Sequence, residues 1–232
     1  LVMIWNCTPM PGGALRTRLE AFCRKAGFHY SDLMQWDLFG GKLITAGVLG
    51  FIRKCRYVLI SPALIDILSE DELEAVVAHE IGHIKKRHML FYIIFILGYG
   101  IFSYAFYKIV YMWLLSRDFF FNLFISGSGD LRSGFYAVPP IMLVVFLLLY
   151  FRFLFGAFSR NFERQSDAYA IKIKGSADGI IRSLEKIAVA GSHSRNAPNW
   201  HHYSIAERSS FLQRCEARSE ERRVGKECAT GC

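Results

Sequence analysis

Residues 69–88 read Ser-Glu-Asp-Glu-Leu-Glu-Ala-Val-Val-Ala-His-Glu-Ile-Gly-His-Ile-Lys-Lys-Arg-His, and this stretch decides how the rest of the chain is understood. Ser69 and Glu72 form a capping box, in which each side chain accepts the other residue's backbone N–H at a helix start. The signal predicts a helix over 71–88. Inside it, His79-Glu80-Ile81-Gly82-His83 sets two imidazoles at i and i+4, on one helical face, where both can offer a nitrogen to one metal ion. Glu80 stands beside them, within reach of a water on that ion. A plain solvated face is the alternative. Ala75, Val76, Val77, Ala78 and Ile81 argue against it, because they half-bury the pair and buried imidazoles need partners.

Two long apolar stretches follow. Residues 89–115 carry only Lys108 as a charge, and residues 139–158 only Arg152. Each reaches the length of about 20 residues that crosses a bilayer. A chain of 232 residues has little protein left to bury two such segments, so both are expected to span a membrane. Lys85, Lys86 and Arg87 precede the first and Arg160 and Arg164 follow the second, against Arg117 and Arg132 in the connection. That asymmetry puts both flanks on the cytoplasmic side, where they can build one site.

Composition agrees. Hydrophobic residues make up 53% and charged residues 21%, which excludes a disordered or fibrous chain. Twenty Phe, eleven Tyr and four Trp point to lipid. The net charge of +8 gathers beside the apolar runs, so it reads as membrane topology and not as a nucleic-acid surface. Six scattered Cys without Cys-x-x-Cys suggest neither a disulfide framework nor a thiolate metal site. Upstream, residues 14–26 have helical periodicity closed by Gly27, β-prone runs occupy 42–48 and 56–60, and Ser61-Pro62 opens a short helix to 68.

A catalytic metal site of this kind needs a third protein ligand. After the second apolar run the chain reads Asn161-Phe162-Glu163-Arg164-Gln165-Ser166-Asp167-Ala168. Glu163 and Asp167 share a helix face, so one carboxylate can bind the ion and the other can accept the outer N–H of a ligand imidazole. A surface Glu and Asp among Arg residues is the plainer alternative. Ser204 and Glu207 make a second capping box. His29, His88 and His193 show no partner pattern, and no chemistry is assigned to them.

Three blocks, 75–83, 162–168 and 200–212, resemble the integral-membrane zinc metallopeptidases that include HtpX-type heat-shock proteases and CAAX prenyl proteases. The resemblance implies an α+β, mainly helical, zincin-like (gluzincin) fold with a small sheet. It makes 1–88 and 159–217 the two halves of the peptidase domain, interrupted by a two-span hairpin at 89–158. It implies one Zn2+ held by His79, His83 and Glu163, with Glu80 as catalytic base and Asp167 behind His79. His202, in His202-Tyr203-Ser204-Ile205-Ala206-Glu207-Arg208, matches the residue that stabilises the oxyanion, and Arg208 helps to hold substrate or site. Tyr203 stands where the family commonly has Pro, and the adjacent His201 leaves the choice between the two His open. Residues 43–48 resemble the family's edge strand, with Thr45, Ala46 and Gly47 toward a peptide and Thr45-Ala46 in place of the usual Asn-Ala.

The implied activity is hydrolysis of peptide bonds in peptide or membrane-protein substrates by a zinc-activated water, in membrane protein quality control. The implied setting is multi-pass and integral to a bacterial inner membrane, with the catalytic halves cytoplasmic. A sensor-type membrane metalloprotease and a non-catalytic membrane scaffold remain the alternatives, the latter told apart by metal content. Site-2-type proteases lack support: Lys85-Lys86-Arg87 follows the motif directly, and no Asn-Pro-Asp-Gly or Leu-Asp-Gly partner exists. The chain starts at Leu1, which suggests a longer gene, and residues 218–232 resemble the frame translation of a sequencing adapter.

Overall fold

The computed structural model describes residues 7–37, 40, 42–50, 52–118, 121–122, 129–191, 195–196 and 203–230. They are mainly helical with one small mixed sheet. By packing, the chain divides into two compact units, residues 1–89 with 160–232, and residues 90–159.

In the first unit the strands are β1 (Cys7–Pro9), β2 (Asp32–Trp36), β3 (Ala46–Leu49) and β4 (Tyr57–Ile60), in the order β1-β2-β4-β3. β2 and β4 run parallel, with Leu33 opposite Val58, while β1 and β3 add antiparallel to them. The central strand β4 is apolar on both faces, so Val58, Leu59 and Ile60 are buried. The helices are α1 (Ala14–Lys25), α2 (Pro62–Ile67), α3 (Glu70–Lys85), the end of α6 (Gly156–Lys174), α7 (Asp178–Ala190) and α8 (Ile205–Thr230). One core joins Leu19, Phe22 and Cys23 of α1 with Leu33, Val58, Ile60, Leu73, Val77, Ile81, Ile171, Ile180 and Leu212.

The caps behave as the sequence predicts. Ser61 accepts the Leu64 N–H behind Pro62, Gly27 takes a positive φ of 58° after α1, and both halves of the Ser69–Glu72 box are made. α3 is shorter than expected. It stops at Lys85, and Arg87 adopts φ 59°, a left-handed turn uncommon outside Gly, before α4 (His88–Leu115) begins. The first turn of α3 is acidic and clamped by basic residues: Lys174 reaches Asp71 and Glu74 at 2.7 and 2.6 Å, and Lys186 reaches the buried Glu72 at 2.7 Å.

The second unit contains most of α4, then α5 (Gly129–Leu149), a π-helical stretch (Tyr150–Phe155) and the start of α6. Among the described residues, two helices are long and apolar enough to cross a membrane, His88–Leu115 and Pro140–Lys174. Their apolar side chains face outward, with Ile101, Ile109 and Phe153 all more than 60% exposed. They are joined by aromatic packing, Phe106 on Phe146 at 5.0 Å, and by the Tyr150 hydroxyl donating to the Phe95 carbonyl at 2.9 Å.

Candidate metal centre

α3 and α6 cross at unusually close range. A Cβ added to Gly82 would lie 3.0 Å from the Ser166 Cα and 3.2 Å from its carbonyl oxygen. Gly82 therefore lets the backbone of α6 approach the His pair, and Glu163 and Asp167, on either side of Ser166, arrive opposite it.

His79 Nε2 and His83 Nε2 stand 3.1 Å apart. Glu163 closes the triangle, with Oε2 3.5 Å from His79 Nε2 and Oε1 3.5 Å from His83 Nε2. Among the described residues, this trio forms a group of donor atoms all within 4.8 Å of one another that could hold a metal ion. Donors about 2.0–2.1 Å from a tetrahedral ion stand about 3.3–3.4 Å from one another, so the three edges fit a shared ion.

The surroundings fix the donors. His79 turns its Nδ1 to Asp167 Oδ1 at 2.8 Å, and Asp167 is fully buried. Arg208, at the capped start of α8, grips Asp167 with two donors at 3.0 and 2.6 Å and stands 3.4 Å from Glu163. Burial opposes charging of His79, yet the adjacent Asp167 and Glu163 carboxylates outweigh it and push its pKa up to about 10. His83 goes the other way: burial and the His79 charge push it down to about 3, which leaves a neutral ring.

His79, His83, Glu163 and Asp167 come together, and Glu80 lies half-buried on the same helix. Arg208, only 12% exposed at its side chain, faces the two carboxylates. Thr45 directly precedes the outer strand β3, which Ala46 and Gly47 begin and against which α3 packs. The Thr45 carbonyl accepts from the Ser61 N–H at 3.0 Å, so by alternation the Ala46 and Val48 backbone groups point away from β4. His201 and His202 lie outside the described residues.

Sequence reasoning missed three contributors. Gly82 was read only as part of the motif. His88 was assigned nothing, yet its Nδ1 stands 3.0 Å from His83 Nδ1 and its Nε2 3.2 Å from Gln165 Oε1. Gln165 lay in a quoted block, but nothing in its spacing named a partner.

The family described as Peptidase family M48 matches residues 9–216. The chain is 28% identical over 220 residues to the rice CAAX prenyl protease 1 homolog, covering 92% of this chain and 50% of that protein. It is 26% identical over 230 residues to Saccharomyces cerevisiae CAAX prenyl protease 1, covering 88% and 49%. A Protease HtpX homolog of Halobacterium salinarum is 37% identical over 131 residues, 56% of this chain and 40% of that one. The chain thus spans about half the length of the curated relatives it matches. The fold is shared with the crystal structure of S. mikatae Ste24p, at a TM-score of 0.70 and 23% identity, covering 91% of this chain and 52% of that one.

Proposed function

Because the chain belongs to peptidase family M48, we propose that it is a membrane-bound, zinc-dependent endopeptidase centred on His79, His83 and Glu163. The donor triangle with edges of 3.1, 3.5 and 3.5 Å carries the reading. Two imidazoles and one carboxylate suit one Zn2+ per chain, since three protein ligands are the set that would leave a fourth position to water. When bound, that ion supplies Lewis-acid polarisation of water and of the scissile carbonyl.

The chain's own groups supply the rest. Glu80 takes the proton of the attacking water and delivers it to the leaving amine. Asp167, held by Arg208, keeps the His79 Nδ1 turned away from the ion. An extended peptide adds to β3 through the outward backbone groups of Ala46 and Val48, with Thr45 and Gly47 between and beside them. His202 is assigned the hydrogen bond to the developing oxyanion, a contribution whose loss typically costs ~10²–10³ in turnover.

The domain in this reading is zincin-like (gluzincin), assembled from 1–88 and 159–217. The 89–158 hairpin spans the bilayer, and both flanks are cytoplasmic. Substrates are peptides or proteins presented near the lipid surface, as in membrane protein quality control. A second substrate reading, a protein with a CAAX tail, is favoured by one observation: relatives named CAAX prenyl protease 1 or its homolog match 85–92% of this chain, against 80% for an HtpX homolog of Aeropyrum pernix.

Cleavage of an unfolded protein substrate by the purified chain tests the proposal. Glu80→Gln is expected to keep its zinc and lose turnover, whereas cleavage at the wild-type rate would remove Glu80 from the chemistry.

A further inference from the structure

His88 lies beyond the His-Glu-x-x-His motif and outside the metal triangle, yet it is only 1% exposed and both ring nitrogens are engaged. A helix continuing straight past His83 would carry residue 88 about 140° around the axis. The left-handed turn at Arg87, φ 59°, breaks that course, and the His88 ring comes to lie against Phe162, with centroids 4.3 Å apart.

The hydrogen bonds run in one direction. The Gln165 Oε1 can only accept, so the His88 Nε2 3.2 Å away must carry the hydrogen. In the neutral ring Nδ1 is then an acceptor. Its partner, His83 Nδ1 at 3.0 Å, must donate to it. That leaves the lone pair of His83 on Nε2, the nitrogen that faces His79 and Glu163.

We propose that His88, backed by Gln165, is a positioning residue that fixes the tautomer and ring plane of His83 toward the metal. It is the counterpart of the Asp167–Arg208 pair behind His79. The proposal rests on the reading of His79, His83 and Glu163 as the metal site. The two ligand imidazoles are thus held by unlike partners, a carboxylate on one side and a neutral imidazole–amide pair on the other.

The test uses the full chain in detergent, with zinc affinity measured by competition against a chromophoric chelator and with the absorption spectrum of the Co2+-loaded protein. His88→Leu and His88→Asn have nearly the same shape, but only Asn can accept from the His83 Nδ1–H. His88→Phe keeps the stack on Phe162 and removes the acceptor. H88L and H88F are expected to lose roughly 10–100-fold in zinc affinity and to shift the Co2+ bands, while H88N recovers most of the loss. Wild-type affinity and spectrum in H88F overturn the proposal. So does H88N binding as weakly as H88L, a comparison that holds even where H88F does not fold. A wild type that takes up neither ion overturns the metal-site reading itself, and the proposal with it.

Discussion

Gly82→Ala should damage the metal centre without touching a donor atom. The new Cβ would stand 3.0 Å from the Ser166 Cα, against a comfortable carbon–carbon separation of about 3.5–4.0 Å. The obstacle is backbone in a fully buried residue, so it cannot rotate away, and α6 must retreat by about 0.5 Å. Glu163 and Asp167 retreat with it. Coordination distances tolerate only about ±0.2 Å, so zinc affinity should fall by at least about tenfold. Stability should respond less. Overpacking costs about 1–3 kcal/mol, while Ala in place of a helical Gly returns about 1 kcal/mol. Gly100→Ala is the control: it lies inside α4, and a Cβ there would meet no neighbouring atom within 4 Å. Zinc competition and thermal unfolding of both variants in detergent, with and without zinc, provide the assay. Gly82→Ala that binds zinc as the wild type does would refute the reasoning.

Two other outcomes follow from the same geometry. Ala46→Pro should abolish most peptide cleavage at unchanged zinc content and near-normal stability, because the donor it removes points away from β4; unaltered cleavage kinetics would remove β3 from substrate binding. Acid should loosen α3. Lys174 depresses the Asp71 carboxyl, and burial of Glu72 and Glu74 is outweighed by Lys186 with Ser69 and by Lys174 with Arg18 respectively. Folded values below the unfolded values of about 3.9–4.3 stabilise the protein above that range, and the gain is lost as pH falls through the folded values. Acid-unfolding curves of Lys174→Met should then be shallower between pH 5 and 2 than those of the wild type, and superimposable curves would contradict the clamp.

The parts of the fold legible in the sequence were those set by local chemistry. The Ser69–Glu72 box, Pro62 behind Ser61, Gly27 and the two apolar runs each declare an element without reference to the rest of the chain. Glu163 and Asp167 were legible because a shared helix face needs only i and i+4 spacing. β1 and β2 were not, since a three-residue strand and the sequence Asp-Leu-Met-Gln-Trp become strands only through pairing with each other and with β4. α7 went unread because its apolar residues are completed by α3 across the core. His88 was hidden by the turn at Arg87. Helical periodicity carries it away from His83, and a left-handed residue without Gly or Asn leaves no mark in the sequence.

The account depends on one ion shared between α3 and α6, and zinc stoichiometry of the purified full chain addresses that directly. Elemental analysis of wild type and Glu163→Gln, after dialysis against a weak chelator, should find one zinc per chain in the first and nearly none in the second. Equal zinc in both would contradict the claim, because the carboxylate that α6 brings to the two imidazoles would then hold nothing.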